Sequence, residues 1–168
     1  MKTKNIITTA LLLAIGIVLH FITPPVYGGI KPDFLLSCMF IAILIQDDFS
    51  NALAAGLTAG IMSAMTTSFP GGQLPNLIEK LITAVFVYIV VKKIYANHIT
   101  TLRLIILAAV GTFVSGVLFL SFAYILVGLP APFYSLLIVG VLPAVVSNII
   151  ACLAIYRAFI SIKKNRTI

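Results

Sequence analysis

Apolar runs long enough to enter or cross a bilayer follow one another along this 168-residue chain, and they leave few folds open. A helix needs roughly 20 apolar residues to traverse the hydrocarbon of a membrane. Runs near that length fall at about 5–23, 33–46, 49–69, 76–95, 101–127 and 133–160. The second is short, with an apolar stretch confined to Phe34–Ile45. Hydrophobic residues make up 61% of the chain and charged residues 9%, against about 25% charged in an ordinary soluble domain. A water-soluble fold of this size has too little interior to hide that much apolar surface. The expected architecture is therefore all-α: a single domain, 1–168, forming an integral membrane bundle of six transmembrane helices. The N-terminal run from Ile6 to Ile22 follows a basic start, as in a signal peptide. It is too long for a cleaved segment and no small-residue cleavage site follows, so it reads as the first membrane helix.

The connectors alternate in character. Three of them, 24–33, 70–76 and 128–132, hold seven of the eight prolines and several glycines, which break helices and shape fixed turns. The opposite side carries Lys2, Lys4, Lys92, Lys93, Arg103, Arg157, Lys163, Lys164 and Arg166, nine of the eleven basic residues. The positive-inside rule puts that side, with both termini, in the cytoplasm of a multi-pass cell-membrane protein. The turn holding Asp47 and Asp48 falls on the same side, and acidic residues carry little topological weight. The net charge of +7 thus reads as a topology signal, not as a nucleic-acid surface.

Helix 3 carries small residues at Ala52, Gly56, Gly60 and Ala64, a spacing that lets helices approach closely in lipid. Cys38 and Cys152 lie inside apolar runs, without metal-ligand or redox spacing, and read as packing residues. No internal repeat is visible, which argues against an inverted-repeat carrier.

Catalytic and nucleotide motifs are missing from the sequence: no P-loop, no zinc-protease helix, no nucleophile elbow. Asp47-Asp48 is the only acidic pair, and adjacent residues on one element do not converge on one metal. The expectation is a protein without enzymatic activity, cofactor or metal; a small intramembrane enzyme is the least favoured class. Instead, polar residues gather at the Pro/Gly-rich side: Lys31, Asp33, Gln73, Asn76, Glu79 and Lys80, with Asn148 deeper on the last helix. Ionisable groups at membrane depth are costly and face a partner or a cavity. Asn76, Glu79, Lys80 and Thr83 share one helical face if the fourth helix starts near Pro75.

Two readings of this cluster are open. Lys31 with Glu79 and Asp33 with Lys80 can tie two loops together. Alternatively the opposite charges line a shallow site under two rigid loops, with Tyr27, Phe69, Phe133 and Tyr134 nearby, which suits an amino acid: lysine for the carboxylate, an acid for the ammonium. Asn148 could meet an indole N–H or an amide, or serve only as an interhelical hydrogen bond. Pro143 should kink the last helix. His20 lies near the outer end of helix 1, facing either the site or the interface, and His98 lies in a basic loop.

The run Gly28-Gly29-Ile30-Lys31-Pro32-Asp33, then Phe69-Pro70-Gly71-Gly72-Gln73-Leu74-Pro75-Asn76 and Glu79-Lys80, resembles the TrpP family of bacterial tryptophan transport proteins. That family in turn resembles the substrate-binding S components of energy-coupling factor (ECF) transporters. The resemblance implies six helices, cytoplasmic termini, a tryptophan pocket near the outer surface and a docking strip on helix 1, here Ala10-Leu11-Leu12-Leu13-Ala14. It implies as partners one membrane coupling subunit and two ATPases. A self-sufficient ion-coupled amino-acid carrier and a vitamin-specific S component are the alternatives within transport.

Overall fold

The computed structural model describes residues 3–25, 31–46, 48–94 and 99–165. Lys2, Tyr27, Gly28, Gly29, Ile30, Asp47, His98 and Arg166 lie outside the described residues, as do the side chains of Lys4, Lys163 and Lys164. Every regular element among the described residues is helical: α1 (Thr3–Ile22), α2 (Phe34–Ile45), α3 (Phe49–Thr66), α4 (Gln73–Ile94), α5 (Thr101–Leu126), α6 (Phe133–Leu136) and α7 (Leu142–Asn165). A π-helical turn, Leu137–Val141, joins α6 to α7 without a break.

Among the described residues, four stretches are long and apolar enough to cross a membrane: Asn5–Ile22, Gln73–Lys93, Thr101–Leu126 and Phe133–Ile162. Along them, large apolar side chains such as Leu11, Val18, Ile106, Val110, Val146 and Ile150 stand exposed. In water that surface would be untenable; in lipid it costs nothing.

The centre of the bundle is α2. It packs against α1, α3, α4, α5 and α7. Ten of its twelve residues, Leu35 through Leu44, are buried, so its apolar sequence faces protein instead of lipid. At 1.5 Å per residue it is about 18 Å long.

Small residues set the spacing of its neighbours. Ala52, Ala55, Gly56, Ala59, Gly60 and Ser63 of α3 are all buried. A β-carbon on Gly56 would stand 2.6 Å from Cβ of Ala84 and 3.2 Å from the Lys80 carbonyl, so α3 and α4 touch almost backbone to backbone. The small-residue ladder is therefore consumed by packing within the chain. Gly71 turns the chain between these helices with φ +69, a left-handed value that side chains resist.

Two expectations need adjusting. The fourth helix begins at Gln73, three residues ahead of its expected start, so Pro75 sits inside the first turn; a first-turn proline has no intrahelical partner to lose. At Pro143 the strain is absorbed upstream: the Leu142 N–H reaches back five residues to the Leu137 carbonyl, forming the π-turn.

The two ends of the bundle are closed differently. At the end holding the α2–α3 turn, the Thr9 hydroxyl donates to Asn51 Oδ1 (2.7 Å), and Gln46 Nε2 donates to the Asn5 carbonyl (2.9 Å) and to Thr9 Oγ1 (3.2 Å). Asn51 Nδ2 donates to the Ala42 carbonyl (3.4 Å). This uncharged mesh fastens α1, α2 and α3. The buried charges lie at the other end.

Candidate functional site

The charged end is organised by the start of α2. Asp33 caps that helix, its Oδ1 accepting the Leu36 N–H at 3.0 Å. Its second oxygen, Oδ2, lies 2.6 Å from Nζ of Lys80. Capping fixes the carboxylate in place, and the α3–α4 contact fixes the helix that bears the lysine. Lys80 is 2% exposed and also contacts the Glu79 carboxylate. Glu79, fully buried, accepts further bonds at Oε2 from Ser115 (2.7 Å) and Thr83 (3.3 Å). One ammonium thus sits between two carboxylates, and the second carboxylate is held from α4 and α5 together.

His20 of α1 completes this side. It is buried, with Nδ1 3.3 Å from Asp33 Oδ1 but off the direction of a hydrogen bond. Burial works against the ionised form of Asp33, but Lys80 and His20 outweigh it and hold the carboxyl well below the usual carboxylate range. Lys31 does not meet Glu79. It donates instead to the Thr66 carbonyl at 3.0 Å, at the C-terminal end of α3, where carbonyls are left without helical partners. Partial burial lowers its pKa, with Asp33 opposing. Of the two ties open to the sequence, the structure forms Asp33–Lys80 and not Lys31–Glu79.

These groups surround a cavity whose empty space, its open mouth included, is about 600 Å³. Its wall has a charged part, with His20, Lys31, Asp33, Glu79 and Lys80, and an apolar part, with Leu36, Phe69, Phe119, Val141 and Ala144. Phe69 and Phe119 meet edge to face, ring centres 5.1 Å apart. Asn76, whose amide donates to the Gly72 carbonyl at 2.8 Å, and Asn148 also line it. Nothing among the described residues groups three His, Cys, Asp or Glu side chains where a metal ion could be held. A bipolar molecule with one charged end and a flat apolar body matches this wall.

Eight of the residues singled out from sequence therefore face one cavity: His20, Lys31, Asp33, Phe69, Asn76, Glu79, Lys80 and Asn148. Gln73 is exposed and borders a separate shallow depression with Ile61, Met65 and Leu77. Tyr134 is 73% exposed and stands outside the cavity wall. Ala10 and Ala14 are both exposed on α1. Sequence reasoning passed over Thr112, Ser115, Gly116 and Phe119 of α5, all of which line the cavity. Their spacing of three, four and seven residues places them on one helical face, and that face is the signal that could have found them.

A family model described as "Tryptophan transporter TrpP" matches residues 2–164. Three relatives carry the name "Probable tryptophan transport protein". The one from Clostridium acetobutylicum is 43% identical over 165 residues, covering 98% of this chain and 95% of its own length. That from Bacillus subtilis is 44% identical over 156 residues, covering 93% and 90%. That from Clostridium perfringens is 42% identical over 165 residues, covering 93% and 91%. No solved structure matches the chain.

Proposed function

The chain belongs to the TrpP family of tryptophan transporters, and on that footing we propose that it captures tryptophan in this cavity from the outer face of the bacterial cell membrane and delivers it to the cytoplasm. The observation that carries the reading is a buried, charge-balanced cavity edge, with Lys31 and Lys80 facing Asp33 and Glu79, beside a wall of Phe69 and Phe119. A zwitterion brings one charge of each sign and leaves the balance unchanged, whereas a singly charged ligand would bury an uncompensated charge. Lys80 is already held by two carboxylates. Lys31, whose present partner is a neutral carbonyl, is the better seat for the substrate carboxylate. The ammonium then goes to the Asp33 side.

In this reading all six hydrophobic segments belong to the membrane, α2 as a short buried one, with both termini in the cytoplasm. Energy comes from an ECF coupling subunit and its ATPases, docked on the helix 1 strip. Exposure of Ala10, Leu11 and Ala14 supports this, because that face of the strip is free of the chain's own packing, while Leu12 and Leu13 turn into the core. Titration of the purified protein with tryptophan, followed by uptake into liposomes, tests the assignment. Saturable tryptophan binding is expected, with uptake only when the ECF partners and ATP are present. Preference for a vitamin would overturn the substrate. Uptake by the chain alone under a proton or sodium gradient would replace the ECF part with an ion-coupled carrier, for which the buried Asp33–Lys80–Glu79 cluster offers the ionisable groups.

A further inference from the structure

Four buried side-chain polar atoms lack a hydrogen-bond partner among the described residues, and two of them, His20 Nδ1 and Asn148 Oδ1, belong to residues that line the cavity. His20 Nδ1 has the Asp33 carboxylate 3.3 Å away. Asn148 is different: it is fully buried, and no charged group satisfies it. Its amide nitrogen donates to Thr112 Oγ1 at 3.2 Å, and its backbone carbonyl accepts from the Ser37 hydroxyl at 3.4 Å. The residue is thus anchored to α5 and α2 while its side-chain oxygen is left over. A buried acceptor without a donor costs about 1–3 kcal/mol, so a ligand that supplies the donor recovers a penalty already present in the empty protein.

The position fits a ring reader. On α7, Asn148 lies four and seven residues beyond Ala144 and Val141, both part of the apolar wall, and it bonds Thr112, seven residues before Phe119 on α5. It therefore sits beside the apolar half of the wall, with Thr112 as its partner, while the charged groups that take the zwitterion belong to α1, the residues just ahead of α2, and α4. Resting on the tryptophan reading above, we infer that Asn148 Oδ1 accepts the indole N–H, making Asn148 the residue that separates tryptophan from amino acids with a purely apolar ring, with Thr112 as the positioning residue that turns the amide. A site built around an acceptor discriminates strongly against an isostere lacking the donor, because the acceptor is then left unpaired.

The test is isothermal titration of the full chain with tryptophan and with benzofuranyl- and benzothienyl-alanine, isosteres in which oxygen or sulfur replaces the indole N–H. Wild-type protein should bind tryptophan about ten- to a hundredfold more tightly than either analogue. Asn148→Leu should reduce that ratio to within about threefold by weakening tryptophan, and Thr112→Val should leave an intermediate ratio. Equal affinity of wild-type protein for all three ligands overturns the inference while leaving the tryptophan assignment standing. Preference for the benzofuran oxygen would mean the amide offers its N–H₂ group to the cavity, which also overturns it. An unchanged ratio in Asn148→Leu assigns the residue to helix packing alone. Failure of wild-type protein to bind tryptophan at all sinks the functional reading itself, and the wild-type comparison remains decisive even if a variant does not fold.

Discussion

The two ends of this bundle solve the same problem, closing a set of helices, with opposite chemistry. At the cavity end, Asp33, Lys80 and Glu79 bury formal charges against one another beside open space. At the far end, Thr9, Gln46 and Asn51 join α1, α2 and α3 with neutral amides and a hydroxyl. Neutral interhelical bonds hold helices together at low desolvation cost, which suits a seal. Buried charges cost several kcal/mol per ion and are weak as glue, so their concentration around the cavity points to a task other than holding the bundle shut.

The contrast can be broken at several points. The largest effect should come from Lys80→Met, which leaves two buried carboxylates facing each other. Breaking a buried pair in this way costs about 3–5 kcal/mol, so thermal unfolding in detergent should show a sharp loss of stability and folded yield. Retention of wild-type stability would mean the charges are solvated after all. Next in size is Lys31→Gln. Its amine donates to a neutral carbonyl, so folding should survive, whereas tryptophan affinity should drop by roughly ten- to more than a hundredfold, the value of a charge-assisted contact of about 1.5–3 kcal/mol. Normal binding would move the carboxylate seat elsewhere.

Asn51→Leu probes the far end. It removes the acceptor of the Thr9 hydroxyl and should cost about 0.6–1.7 kcal/mol, the range of interhelical hydrogen bonds in membranes, with tryptophan affinity unchanged. A comparable loss of affinity would show that the two ends are coupled. The smallest effect concerns acid. The folded pKa of Asp33 lies below its unfolded one, so its contribution to stability is complete above the ordinary carboxylate value of about 3.9 and declines as pH falls towards the folded value. Between pH 7 and pH 5 the contribution of Asp33 to the melting point should therefore stay nearly unchanged, its loss setting in only below about pH 4. A fall between pH 7 and pH 5 would assign the controlling group to something other than Asp33.

Much of this was legible in the sequence because it rests on one-dimensional signals. Helices show as apolar runs, the turns at the cavity end as proline and glycine, and Asn76, Glu79 and Lys80 share a face through spacing alone. Partner choice was legible only in part: Asp33 meets Lys80 as the sequence allowed, but Lys31 does not meet Glu79. Lys31 has the Thr66 carbonyl in reach instead of Glu79, a result of where α3 ends in space. Ser115 and Thr112 look like ordinary small residues in an apolar helix until α4 and α7 bring Glu79 and Asn148 against them. The mesh of Thr9, Gln46 and Asn51 was hidden for the same reason, since its members lie on three different helices. Pro143 announced a disturbance, but the sequence could not say that a π-turn would take it up.

The buried helix α2 is also a measure of capacity. Its twelve residues give it about 18 Å of length, where the hydrocarbon of a bilayer is about 30 Å thick. Asp33 and Leu36, at the start of this helix, border the cavity. How far this cavity extends is thus partly a matter of where one central post begins. A lineage could enlarge or shrink what it carries by trimming or adding a turn at that single place, leaving every helix that meets lipid as it was.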